Sequence, residues 1–386
     1  MTTGKNGSQE IETRIGTLEF THDFAKGFPT DATIEKLYEE RDFQRACQAY
    51  LWSLPVVAFA SFQDGLTKGL GARNGQIVAL LSYEAKRGVL TANATTPYYL
   101  GFADLSSGPL VMEMPERGVQ GGISDAWQNN VPDSEAPAKY LVLGPGHKVP
   151  DNVAGYAVRQ SPTFNILIGV RLTDADPEKA KQALSHLQVY PYTQRDRPPK
   201  MEIFDAGTKA WSGMPPRGME YWERLDDVIQ REPIEPRDIF FHAMLRPLGV
   251  EKGKPFEPDA RQTKILTAAA LVGEAMAKAN TADRRFAGVK YRSDARWDFA
   301  LQLDADDPVR SGTCSTNAPP GSTRPSAPGR RWRPSGPVLH RRTSALTKTR
   351  LANGWTAGRR IGFAFRPIPQ SSCSGRSRST MSTRAH

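Results

Sequence analysis

Apolar residues first recur at helical spacing in "TDATIEKLYEERDFQRACQAYLW", where Ile34, Leu37, Phe43, Ala46 and Tyr50 share one face and Thr30 or Asp31 can cap the N-terminus. Leu54-Pro55 predicts the end of that helix, because proline disfavours helix in the residue before it. From there to Leu172 the period changes to short apolar runs split by Gly, Pro, Asn and Ser: "QIVALLSY", "YYLGFADL", "GPLVMEM", "KYLVLGPG", "YAVRQ" and "FNILIGVRL". Segments of this length, bounded by turn residues and without helices between them, predict an antiparallel sheet or barrel, since parallel neighbours need crossover connections. "DPEKAKQALSHLQ" returns to helical period. "YPYTQRDRPPK" then marks a boundary, because adjacent prolines and clustered charge fit neither period.

The second half opens with helices at "GMEYWERLDDVIQRE", around "PRDIFFHAML" and along "PDARQTKILTAAALVGEAMAKANTADRR", the last with Ile265, Ala268, Leu271, Val272 and Met276 on one apolar face. Tyr50, Trp52, Tyr221 and Trp222 lie on apolar helix faces and read as core. "RWDFALQLDADD" should lead into more strands, but periodicity disappears after Asp307. The chain is therefore α+β, with a polar leader over 1–29, a β-rich N-terminal domain with flanking helices over 30–190, a linker and helix over 191–235, the helical start of a second domain over 236–307, and a tail over 308–386.

Charge changes the picture of that tail. The whole chain carries a formal +10, yet Pro308 to His386 holds fifteen Lys plus Arg and no acidic residue, which leaves Met1 to Asp307 at −5. The basicity that would point to a polyanionic partner belongs to the tail alone. Low hydrophobicity with charge of one sign predicts disorder there. No run approaches the roughly 18 apolar residues of a membrane span. The opening "MTTGKNGSQEIETRIGTLEF" lacks the basic-then-apolar plan of a signal peptide, so the product as translated is expected in the cytoplasm.

Candidate chemistry is sparse. Cys47, Cys314 and Cys373 are too scattered for a disulfide framework or a thiolate metal site. His22, His147, His186 and His242 form no His-x-x-x-His pair, and no metal or cofactor is expected. There is no Gly-x-Ser-x-Gly elbow, and "GLGARNG" lacks the Gly-Lys-Ser/Thr ending of a phosphate loop, so it reads as a turn. The densest polar group is "TANATTPYYLGFADL", where Asn93, Thr95, Thr96 and Tyr98 could line a pocket mouth ahead of a strand or could simply cap a turn. "KYLVLGPGH" could put His147 at a strand end in a cleft or on a surface loop. None of these is a strong base or an activated nucleophile, so binding is easier to support than catalysis.

"DFQRACQAYLWSLPVVAF", "LTANATTPYYLGFADLSSGPLVMEMP", "KYLVLGPGHKVP", "YAVRQSPTFNILIGVRL" and "MPPRGMEYWERLDDVIQREP", in that order and spacing, resemble a bacterial two-domain family whose halves are known as domain of unknown function 1254 and domain of unknown function 1214. The resemblance covers roughly residues 30 to 307. It implies a β-rich first domain, a second domain whose helices precede a jelly-roll-like sheet, and a periplasmic or envelope-associated setting. The chain departs from this pattern after Asp307, where the second sheet should be.

A reading-frame error would account for that departure. Restarting each triplet of the tail on the wobble base permits "WSVTV" across Ser374 to Ser379, and the same frame permits acidic, strand-like and amphipathic segments elsewhere in the tail, which look like the missing second domain. A single frameshift near residue 308 is therefore expected. The functions that follow are small-molecule or envelope-associated binding around Asn93 to Tyr98. The alternative is a hydrolase-like enzyme using a polar pocket between the domains with His147; nucleic-acid binding through the tail is disfavoured. Self-association stays open.

Overall fold

The computed structural model describes residues 2–3, 8–89, 92, 96–115, 118–131, 139–172, 177–283 and 294. The tail over 308–386, the strands expected after Arg296, and the candidate site residues Asn93 and Thr95 lie outside the described residues. The described chain is α+β, β-rich in its first half and helical later.

Residues 1–29, read above as a polar leader, contain a small antiparallel sheet of β1 (Thr2–Thr3), β2 (Gln9–Thr13) and β3 (Gly16–Phe20). Its strands are short and polar, and Phe20 at the end of β3 is buried. Helix α1 (Asp31–Asp64) starts where expected, with the Thr30 side chain accepting from the backbone N–H of Thr33. It does not stop at Pro55, however, and the predicted end is thereby corrected. Beyond the proline, Val56, Val57, Phe59 and Ala60 are buried. Burying a side chain of the Val or Phe class contributes about 1.5–3 kcal/mol, so three of them outweigh the ~3 kcal/mol that a helical proline costs. The helix then widens into one π turn, Gly65–Gly69, with Leu70 N–H donating to Gly65 O at 3.2 Å.

The six predicted runs fall into two sheets, which also contain three strands that the pattern did not predict, Val119–Asp125, Gln188–Pro191 and Phe204–Asp205. In the first, β12 (Phe204–Asp205), β4 (Val78–Leu80), β5 (Tyr98–Asp104), β10 (Asn165–Leu172) and β7 (Val119–Asp125) are neighbours in that order. In the second the order is β11 (Gln188–Pro191), β6 (Leu110–Glu113), β8 (Lys139–Leu143) and β9 (Ala157–Gln160). Most pairings are antiparallel, but β8–β9 and β4–β12 are parallel. The first of these exceptions is made by residues 144–156, a crossover of turns without a helix, which the rule for parallel neighbours did not anticipate.

Strand alternation builds the layers. On β5, Tyr99 and Ala103 face a core shared with Met112 of β6 and Tyr140 and Val142 of β8, so the two sheets pack face to face there. The opposite parity, Tyr98 and Phe102, faces a second core filled by helices. Val111 and Leu141, on the outer face of the second sheet, meet Tyr190 and Tyr192 in a third cluster. The order through the molecule is thus helices, five-stranded sheet and four-stranded sheet. Helix α2 (Pro177–His186) sits beside β7 and β10.

In the helical layer, α1 packs against α3 (Met219–Arg231), α4 (Ile239–Leu245) and α5 (Ala260–Ala282). Tyr50 stacks on Tyr221 at 3.9 Å between ring centroids, the Tyr221 hydroxyl donates to Tyr50 O at 2.8 Å, and Trp222 Nε1 donates to Leu266 O at 2.8 Å. Buried Asp42 of α1 accepts from Arg261 of α5 at 2.7 Å and pairs with Arg41 at 2.8 Å. The apolar face of α5 is not quite the one its periodicity predicts. Ile265, Leu266, Ala269, Ala270 and Gly273 are buried, whereas Ala268 is exposed and Leu271 is 73% exposed. Small residues decide this, because a Cβ on Gly273 would lie 2.6 Å from the Tyr50 ring, so the glycine lets the two helices approach closely.

Candidate functional site

After β4 the chain makes a tight turn over residues 82–88 before β5 begins. That turn is held by Trp211, whose Nε1 donates to Ala85 O at 2.8 Å, while Gly213 N–H donates to Gly88 O at 3.0 Å. The indole lies against Gly88 so closely that a Cβ there would sit 2.5 Å from the ring, and it stacks on Phe62 of α1 at 5.7 Å. The turn is therefore clamped between the first sheet and the helical layer, and the clamp carries Lys86 inward. Lys86 is 1% exposed.

The buried ammonium group finds Tyr98 and Thr96. Its Nζ donates to Thr96 O at 2.8 Å and lies 5.1 Å from the centroid of the Tyr98 ring. Arg171, the cross-strand partner of Tyr98 near the end of β10, places its guanidinium carbon 4.7 Å from the same centroid. Two cations thus meet one phenol ring, an attraction worth about 0.5–2 kcal/mol each depending on desolvation. Burial holds the Lys86 amine below the ordinary lysine range, and the charge of Arg171 lowers it further. Thr96, Pro97 and Arg171 are half-buried, so the cluster lies just beneath the surface.

Of the residues predicted from sequence, Thr96 and Tyr98 come together here, and Asn93 and Thr95 are outside the described residues. His147 is elsewhere. It follows β8, its Nδ1 accepts from Gly144 N–H at 3.2 Å, and its ring lies 6.3 Å from that of Phe164. Gly144 also abuts Leu105, at the far end of β5 from Tyr98. With a rise of about 3.3 Å per residue, that separates His147 from the Lys86 cluster by about 20 Å. Lys86 and Arg171 were missed in the sequence. Arg171 has a signal, since it shares strand parity with Leu167 and so points to the helical side; Lys86 has none, because its burial is made by Trp211 from a distant part of the chain.

A second group of perturbed side chains lies where β7 and α4 meet α1. Asp238 accepts from Trp52 Nε1 at 3.0 Å and from Arg237 Nε at 3.4 Å, and Arg237 also pairs with Glu235 at 3.0 Å. Asp125 accepts from Asn129 N–H at 2.9 Å and from Asn129 Nδ2 at 3.2 Å; burial still pushes its carboxyl up to about 6. His242, edge-on to Trp52, is pushed down to about 4 by burial and by the charges of Lys252 and Arg246. These groups are already partnered and join three elements, which makes the cluster a packing joint. Among the described residues no group of three or more His, Cys, Asp or Glu is placed to hold a metal ion, and no helix is long and apolar enough to cross a membrane.

Residues 76–191 match the family model described as protein of unknown function (DUF1254). That stretch runs from just before β4 to the end of β11 and contains Lys86, Tyr98 and Arg171. The crystal structure of the VPA0106 protein from Vibrio parahaemolyticus is similar at 13% sequence identity and a TM-score of 0.48, over 62% of this chain and 59% of that one. The chain thus spans less than two thirds of that protein. No curated protein matches.

Proposed function

We propose that this chain binds a small organic anion where the turn over residues 82–88 meets the start of β5 and the end of β10. The observation that carries the reading is a lysine only 1% exposed beside a second cation, Arg171, on the ring of Tyr98. A small anion entering beside them would be attracted by both charges. A carboxylate also suits the planar fork of a guanidinium. Thermal-shift titration with acetate, pyruvate and benzoate is the direct test, and at least one should raise the melting temperature in a saturable way. Arg171→Gln, which removes one charge-assisted contact worth about 1.5–3 kcal/mol, should weaken binding by about tenfold or more. Equal affinity in the variant, or no shift with any carboxylate, sinks the reading.

The second half of the chain belongs to the same proposal. Residues 236–307 are taken as the start of a domain resembling domain of unknown function 1214, cut short by a frameshift near residue 308. What supports this is the charge discontinuity at Pro308 and the strand-like peptides permitted in the restarted frame. Sequencing the gene across the Pro308 codon decides it, and an intact frame there would return the basic tail to consideration as a polyanion-binding segment.

A further inference from the structure

At the other end of β5 from Tyr98, the two sheets part to leave a cleft. It encloses about 470 Å³ including its open mouth, within the roughly 300–1,000 Å³ typical of small-ligand sites. Leu110 at the start of β6 and Val189 of β11, both part of the core between the sheets, make its floor apolar. Asn74, Asp104, Ser107 and Thr193 make its rim polar. We infer that this cleft binds a small organic ammonium ion, with the charged nitrogen on the Asp104 carboxylate and the hydrocarbon body over Leu110 and Val189. Six residues of β5 separate Asp104 from Tyr98, which at about 3.3 Å per residue is about 20 Å, so this site is independent of the anion site above.

Asp104 is held in place by the fold itself. The Asn74 amide brackets its backbone, with Oδ1 accepting from Asp104 N–H at 2.7 Å and Nδ2 lying 3.5 Å from Asp104 O. The Asp104 Oδ1 accepts from Ser106 N–H at 2.8 Å, and among the described residues its Oδ2 has no partner. A carboxylate anchored through one oxygen can give the other to a charge-assisted hydrogen bond with little further loss of side-chain freedom. Ser107, whose hydroxyl donates to Asp104 O at 3.2 Å, keeps its oxygen lone pairs as a second acceptor for an ammonium N–H. Charge selects the sign of the ligand. No Lys, Arg or His lines the cleft, and the neighbouring Arg73 is paired with Glu202 at 2.7 Å, so a cation is attracted and an anion repelled. Room for the hydrocarbon body is kept by Gly75, which has φ +71° and where a Cβ would sit 3.8 Å from Val189 Cγ1 and 3.9 Å from Leu110 Cδ1, directly over the floor. Pro109 and Pro191 stiffen the walls, which limits the entropy lost on binding.

Saturation-transfer NMR titration of the full chain with cyclohexylamine, protonated at neutral pH, tests the inference, with cyclohexanol and cyclohexanecarboxylate as neutral and anionic matches of the same shape. The ammonium should bind saturably and the other two about tenfold more weakly or worse. Asp104→Asn, which can still accept from Ser106 N–H, should weaken the ammonium by about tenfold or more and leave cyclohexanol unchanged. Thr193→Trp, a bulky group at an exposed rim position, should block both ligands while the fold stays intact. Arg171→Gln should leave ammonium binding unaltered, so that failure of the anion site and failure of this cleft are read separately. Absence of saturation by cyclohexylamine, equal affinity for either match, or an ammonium affinity unchanged in Asp104→Asn or in Thr193→Trp overturns the inference.

Discussion

The buried acid Asp125 and the half-buried base His242 pull stability in opposite directions along the pH scale. Asp125 titrates near 6 in the fold against an ordinary 3.8, so the folded chain holds this proton more tightly than the unfolded one. Its contribution is complete below pH 3.8 and is lost as pH rises through 6. His242, lowered from 6.5 to about 4, contributes stability at neutral pH that is lost as pH falls through that range. The two slopes oppose each other over about pH 4–6, so the joint contribution of this pair changes less there than either does alone. Asp125→Asn exposes the effect: its stability relative to the parent should improve by about 2 kcal/mol between pH 4 and pH 8, the part of the shift from 3.8 to about 6 that falls in that interval. Urea midpoints at the two pH values measure it, and an unchanged difference contradicts the assignment. Trp52 and Asp238 were legible only as separate residues, one on an apolar helix face and one near a helix start; their hydrogen bond joins positions 186 residues apart, beyond the reach of local pattern.

Between elements, close approach is set by glycine and small side chains more than by bulk. Gly273 on α5 faces Tyr50 on α1, and Ala269 and Ala270 continue the same contact surface. Gly273→Ala must push the Tyr50 ring away from its stack on Tyr221 and should cost about 1–3 kcal/mol, the usual range for overpacking, with the loss read from the guanidinium midpoint. The helical gain of alanine over glycine, about 1 kcal/mol, works against this. A net stabilisation would show that the two helices separate easily. Helix existence was readable in the sequence because its period is local, and so were six of the strands, β4, β5, β6, β8, β9 and β10, whose ends fall within a few residues of the apolar runs; the short or polar strands β1, β2, β3, β7, β11 and β12 carried no such run. The continuation of α1 through Pro55 was not, since the local rule for proline is overruled by burial against a sheet and helices formed later in the chain. The face of α5 was misread for a related reason: large residues mark apolar character, but here the small ones mark the contact.

At the scale of the whole molecule, one buried cluster includes α1, α3, α4, α5 and the helical face of the first sheet. Both cores share the strands of that sheet, so neither can be dismantled without disturbing the other. Far-UV circular dichroism and tryptophan fluorescence should therefore report the same urea midpoint, because Trp52, Trp127 and Trp222 sit in the shared core. Two separated transitions would mean that the helical layer melts on its own. A sheet with flanking helices was expected from the sequence, whereas the order of helices, five-stranded sheet and four-stranded sheet, and the parity of each strand, came only with the structure. The candidate site was only half accessible: Thr96 and Tyr98 stood out as polar groups ahead of a strand, while Lys86 needed Trp211, and Arg171 needed the β5–β10 register, to acquire meaning.

Helix α1 is made early and completed late. Its apolar residues Val56, Val57, Phe59 and Ala60 leave the ribosome before α3, α4 and α5, which share their core, have been synthesised. Roughly 200 residues separate the end of α1 from the start of α5, and at about 5–20 residues per second their synthesis takes about 10–40 s. For that interval only the first sheet is available to cover this hydrophobic stripe, and the part of it that packs on the later helices has no cover. The nascent chain's fate in the cell then depends on how fast the ribosome moves and on what binds the stripe in the meantime, as much as on the stability of the finished fold.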